Sequence, residues 1–216
     1  IGAILILVCA QGDDSTIATN SRWGALWAST SNFFLSLWLL LNFDKSTAEF
    51  QFLEKVEWIP QFGISYNLGV DGISLLFILL TTLLTPICIV ASWENIQHKV
   101  KEYMISFLIL ESFMIGMFCA LDIIIFYIFF EAVLIPMFLI IGVWGGVNRV
   151  YAAFKLFLYT LLGSVLMLLA MIAIYIDAGT TSIPSLLEHN FEPTLQPWLW
   201  LGLMASFAVK VPMWPV

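Results

Sequence analysis

The sequence predicts an all-α fold, a polytopic transmembrane helix bundle with a discontinuous seventh helix. Three observations carry this. The chain is 61% hydrophobic and 11% charged, where an ordinary soluble domain carries roughly 25% charged residues. Its apolar residues fall into runs near the length of about 20 that crosses a hydrocarbon core about 30 Å thick. Two prolines, Pro212 and Pro215, follow Lys210 inside the last apolar run, where they must break the helical hydrogen-bond ladder. A soluble fold of this size could not hide so much apolar surface. A formal net charge of −7 with no Lys/Arg cluster excludes nucleic acid as a partner. Cys9, Cys88 and Cys119 are scattered through apolar stretches, and His98 and His189 lie in polar segments. Neither set has the spacing of a zinc, haem or iron–sulfur site, so the cysteines read as small buried hydrophobes.

The elements follow in order. Ile1 to Ala10 reads as the later part of a first helix, with a signal-peptide core as its rival. Both chain ends fall inside apolar runs and are expected to be cuts. The second span is expected from Trp23 to Phe43, the third from Gly72 to Trp93 and the fourth from Tyr103 to Leu121. The fifth runs from Ile123 to Trp144, with Asp122 as the one charge in a tight turn before it, which makes spans four and five antiparallel neighbours. The sixth is expected from Tyr151 to Ile176, and the seventh begins near Trp198. The segment from Asp44 to Asp71 mixes Phe50, Phe52, Val56, Trp58, Ile59 and Phe62 with charges. It is too short to bury its own core and reads as an extended or hairpin structure on the membrane surface. The organisation is residues 1–71 as leading helices and loop, and 72–216 as helices three to seven.

Arg22, Lys99, Lys101 and Arg149 follow the odd spans, whereas Lys45 and Lys55 follow span two. This bias places the odd loops inside and the amino end outside, in the periplasm or intermembrane space.

An ionisable side chain at bilayer depth costs about 2.5–3.5 kcal/mol or more, and is a functional hypothesis by default. Glu131 lies nine residues past Asp122, about 13 Å along a helix and so near the midplane. Pro136 follows and loosens the helix beside it. Lys210 sits immediately before the proline break, where irregular backbone is tolerated only against protein or a cavity. Glu111, in the fourth span, and Lys155, near the start of the sixth, are secondary candidates for the same path. The bland alternatives are a neutral glutamic acid bonded across helices for Glu131 and snorkelling lysines for Lys155 and Lys210. A carboxyl and an amine in dehydrated surroundings shift each other's proton affinity with distance and water entry, which suits proton movement.

The run Phe126-Tyr-Ile-Phe-Phe-Glu131-Ala-Val-Leu-Ile-Pro136-Met-Phe, then Trp144-Gly-Gly and Arg149-Val-Tyr-Ala-Ala-Phe-Lys155, resembles the fifth-helix region of the antiporter-like membrane subunits of respiratory complex I. Leu158-Tyr-Thr-Leu-Leu-Gly-Ser164 is similar to their sixth helix, Phe207-Ala-Val-Lys210-Val-Pro-Met-Trp-Pro215 to their broken seventh, and Asn67-Leu-Gly-Val-Asp71-Gly-Ile-Ser to the segment before their third. The resemblance implies the leading helices and most of the first of two inverted repeats, with Glu131 and Lys210 as the proton-channel pair. It implies a multi-pass protein of a bacterial cell membrane or the mitochondrial inner membrane. Its partners would be the other membrane subunits, lipid and protons. No cofactor is expected in this chain; NADH, FMN, iron–sulfur clusters and quinone would belong to partner subunits. Subunits of cation/proton antiporters and membrane-bound hydrogenases share the fold and stand as rivals, as does a membrane scaffold that moves no protons.

Overall fold

The computed structural model describes residues 1–213, and among these the chain is an α-helical bundle with one surface hairpin. The helices are α1 (Gly2–Cys9), α2 (Asp14–Asn42), α3 (Gly72–Ala91), α4 (Val100–Cys119), α5 (Ile123–Ala132), α6 (Leu134–Trp144), α7 (Arg149–Ala178), α8 (Ile183–Glu188) and α9 (Gln196–Lys210). With α5 and α6 taken as one span, five stretches are long and apolar enough to cross a membrane. The first and seventh expected spans are shorter among the described residues, with 8 residues in α1 and 15 in α9.

The bundle is apolar outside and partly polar inside, as a lipid solvent demands. On α2 the buried positions are Ser21, Ala25, Ser29 and Ser36, a seam at helical spacing, while Trp23, Trp27, Phe34 and Trp38 are exposed. Lipid tails are as apolar as leucine, so helices associate through small residues and hydroxyls that let backbones approach. α3 follows the same logic with Thr81, Thr82 and Thr85 buried, and α7 with Thr160, Gly163, Ser164 and Ala170. Cys88 corrects the expectation of buried cysteines, since it lies exposed on α3; Cys119 is half-buried.

α2 begins at Asp14, well before the expected start at Trp23. Its first turns are polar, so an apolar window misses them. The fifth span is split at Val133. Pro136 has no N–H to give the Ala132 carbonyl, and the bonds flanking the break are long: Val133 N to Phe129 O at 3.2 Å and Met137 N to Val133 O at 3.3 Å.

The loop after α2 folds as the hairpin, with β1 (Gln51–Ile59) antiparallel to β2 (Ile64–Val70). β1 is the exposed strand, and β2 buries Ser65, Asn67, Gly69 and Val70. β2 runs into α3 through a capping box. Asp71 accepts from Ser74 N at 2.7 Å, and Ser74 Oγ accepts from Asp71 N at 2.9 Å, so two orphan donors are satisfied reciprocally.

The α4–α5 turn is locked between two other segments at this hairpin end. Leu121 N donates to Asn67 O, Ile123 N to Thr181 O and Ile183 N to Leu121 O, each at 2.9 Å. Asp122 is fully buried; it accepts from Ile124 N and Ile125 N, capping α5, and from the Thr181 hydroxyl. The opposite end gathers the basic residues. Arg22 donates to Ile96 O at 2.7 Å, and Lys101 donates to Leu7 O and Ala10 O at 3.0 and 3.1 Å, closing the end of α1. Trp144 Nε1 donates to His98 O at 2.9 Å.

Candidate functional site

Lys210 and Glu131 meet where two helices end. Lys210 is the last residue of α9, and its ammonium donates to the Phe130 carbonyl at 2.6 Å. The same nitrogen stands 3.5 Å from the centroid of the Phe130 ring. Phe130 lies in the last turn of α5, ahead of the split at Val133, where carbonyls lose regular helical partners. A cation is favoured at such a C-terminal end, and its attraction to the ring face adds to that.

Glu131 is the next residue. One carboxyl oxygen, Oε1, is buried and has no hydrogen-bond partner in the chain. Lys210 and Ser164 lie near it, as does Tyr127, one turn earlier on α5; the Ser164 hydroxyl itself donates to Leu161 O at 2.9 Å. Glu131 and Lys210 are close enough to feel each other's charge, yet they do not form an ion pair. The lysine is held by the neighbouring backbone instead. The motifs contain Tyr127 and Ser164, but nothing in them assigns either residue to the site. The i, i+4 spacing of Tyr127 and Glu131 is the one signal available for the tyrosine.

Close approach of α7 and α9 delivers the lysine. A Cβ added at Gly163 would stand 3.0 Å from the Val209 side chain, and one at Gly202 would stand 3.0 Å from Ala170 Cβ and Leu166 O. Beyond Lys210 the helix stops: Val211 N still reaches Phe207 O at 2.9 Å, and Pro212 can donate nothing. Pro215, the second expected breaker, lies outside the described residues.

The secondary candidates stand apart from this pair. Lys155 is exposed on α7, eight residues before Gly163 and so about 12 Å along the axis from the Val209 contact. Glu111 is 2% exposed, with both carboxyl oxygens unpartnered. α4 meets α5 through Phe113 and Gly116, which pack on Phe129. At 100° per residue Glu111 points roughly 140–160° away from both, toward Asn32 on α2. The fully buried Glu111 and the half-buried Glu131 are therefore on opposite sides of α4.

The fold defines the class, a multi-pass antiporter-like membrane subunit. It superposes on a chain of respiratory complex I from Thermus thermophilus with bound NADH (TM-score 0.81, 27% identity, 99% of this chain and 44% of that one). A chain of the Mrp complex from a Dietzia species shares the fold (TM-score 0.78, 17% identity, 97% and 24% covered).

Residues 15–121 match the family model for NADH-ubiquinone oxidoreductase chain 4, amino terminus, and residues 120–216 match that for NADH:quinone oxidoreductase/Mrp antiporter, TM. The chain is 52% identical over 227 residues to NADH-quinone oxidoreductase subunit M of Rhodobacter capsulatus, covering 99% of this chain and 44% of that protein. It is 54% identical over 217 residues to NADH-ubiquinone oxidoreductase chain 4 of Arabidopsis thaliana, covering 100% and 43%. The chain belongs to this family, the subunit M/chain 4 membrane subunits of NADH:quinone oxidoreductase, and is a multi-pass protein of a bacterial cell membrane or the mitochondrial inner membrane. It spans 43–44% of the length of these relatives.

Proposed function

We propose that the chain moves protons across the membrane as part of proton-pumping NADH:quinone oxidoreductase, with Glu131 and Lys210 as the exchanging pair. Residues 72–216 then make most of one channel repeat. The redox chemistry on NADH, flavin, iron–sulfur clusters and quinone belongs to partner subunits, and this chain's part is electrostatic.

The observation that carries the reading is the placement of Lys210 on the Phe130 carbonyl, beside a carboxyl oxygen with no partner. In that arrangement the ammonium is held without being neutralised by the acid. A swing of Lys210 from the carbonyl toward Glu131 forms the ion pair and favours both charged forms. Its return leaves the acid alone in apolar surroundings, where the charged carboxylate is costly. One short displacement at two helix ends thereby changes proton affinity, with Tyr127 and Ser164 as polar neighbours along the way. Glu111 and Lys155 are not needed for this step.

The test is Glu131→Ala in the intact complex. It is expected to abolish most proton pumping while the complex still assembles, measured as acidification in vesicles energised with NADH. Normal pumping would instead support a scaffold. A cation/proton antiporter subunit would use the same pair, and the Mrp fold likeness fits it. The 52% identity to a quinone oxidoreductase subunit over nearly the whole chain favours the first reading.

A further inference from the structure

Ser206, on α9, is a buried hydroxyl with nothing to bond to. It is 1% exposed, and its Oγ has no partner among the described residues. Other buried hydroxyls of the spanning helices donate to a carbonyl one turn back: Ser36 to Phe33 O, Thr82 to Ile78 O, Thr160 to Leu156 O and Ser164 to Leu161 O. Ser21 on α2 shares the exception, but of the two only Ser206 stands one turn from a member of the proposed pair. An orphan hydroxyl in such a dry interior is costly.

Its place on α9 shows what it serves. Leu199, Leu203, Ser206 and Lys210 recur at spacings of four, three and four, a single stripe of the helix. Leu199 and Leu203 pack in the cluster that holds Phe130 and Met167, so the stripe faces the seam between α5 and α7. Lys210 is one turn beyond Ser206, and helical side chains lean back toward the N-terminus, which brings the amine toward the level of the serine. Phe207, the next residue, packs edge-on to the Phe130 ring at 6.0 Å, the same ring over which the ammonium stands. The titratable groups in this neighbourhood are Glu131 and Tyr127 on α5. The buried stripe of α7 that meets α9 presents neutral groups, Thr160, Gly163, Ser164 and Met167.

The two polar groups that α5 and α9 offer Lys210 differ in kind. The Phe130 carbonyl only accepts, so it suits an ammonium N–H and has nothing for the lone pair of a neutral amine. A hydroxyl donates as well as accepts. We infer that Ser206 is a positioning residue for Lys210: once the ammonium has passed its proton to Glu131, the amine leaves the Phe130 carbonyl and its lone pair accepts a hydrogen bond from Ser206 Oγ. Ammonium and carboxylate become amine and carboxylic acid, and the serine keeps its own proton throughout. The inference rests on the Glu131–Lys210 reading and adds to it the partner of the deprotonated lysine.

The test is proton flux in NADH-energised vesicles holding the intact complex, followed across a range of pH. Ser206→Ala removes a hydroxyl that makes no bond in the fold, so assembly at the wild-type level is expected. Flux is expected to fall about fivefold near neutral pH, the equivalent of one neutral hydrogen bond. It should recover as the medium is made more alkaline, which drives the release that the serine no longer assists. Ser206→Thr keeps the hydroxyl and is expected to match the wild type. Ser206→Cys, a near-isostere with a weak S–H donor, should fall between the two and stands in if the alanine variant does not assemble. Wild-type flux in Ser206→Ala or Ser206→Cys overturns the inference. So does a loss that is the same at every pH, or a threonine variant as slow as the alanine one. If any of these occurs while Lys210→Arg still loses flux, the pair survives without the serine. Wild-type flux in both Lys210→Arg and Glu131→Ala removes the pair itself, and the role of the serine with it.

Discussion

Asp122 and Glu131 stand on one helix, nine residues apart, and their surroundings treat them in opposite ways. Asp122 is 0% exposed and both its oxygens are engaged, one by the first N–H groups of α5 and the other by Thr181. Glu131 keeps a buried oxygen with no partner, beside a lysine bonded to backbone. A saturated acid has its geometry fixed, so it builds structure. An unsaturated one at depth has a proton affinity that its neighbours can change, and that is where function is to be sought.

Mutations can break this contrast from either side. The largest expected effect is at the structural acid. Asp122→Ala removes a helix cap and strands buried donors, a loss of about 3 kcal/mol or more. Little assembled complex should be recovered from membranes, while Asp122→Asn, which keeps a capping oxygen, should retain more. Assembly of the alanine variant at wild-type level would remove the distinction. Next comes Lys210→Arg, which keeps the charge but does not release a proton. Proton flux should fall on the order of tenfold, equivalent to about 1.4 kcal/mol of barrier, with assembly intact. Wild-type flux would count against deprotonation of the lysine. The smallest effect is expected of Pro136→Ala. It supplies the N–H that Ala132 lacks, so the span should straighten through Val133 and gain stability. Flux should drop only a few-fold, the size of a change of about 1 kcal/mol. A structure of this variant with the break and the Lys210–Phe130 contact unchanged would show that the proline does not set the geometry.

The sequence made legible whatever a single helix decides. The apolar runs place the spans, and Pro136 marks the loosening of the helix beside Glu131; the Asp71–Ser74 capping box came only with the structure. The polar first turns of α2 escaped because helical propensity without apolarity gives no span signal. The separation of Glu111 from Glu131 was also illegible. It depends on which side of α4 meets Phe129, a tertiary choice that spacing along one helix does not contain. Asp122 read as a turn charge because its partner, Thr181, is 59 residues away. The hairpin was foreseen as one of two options, and its register came only with the structure.

The serine and alanine seam of α2 has a practical consequence. Stripped of amphiphile, this helix has its stickiest surface, Trp23, Trp27, Phe34 and Trp38, facing outward, and only Ser21, Ala25, Ser29 and Ser36 turned inward. Dilution from denaturant into plain buffer would reward the inverted packing and yield aggregate. Recovery of the native arrangement should require detergent micelles or nanodiscs from the first moment of refolding.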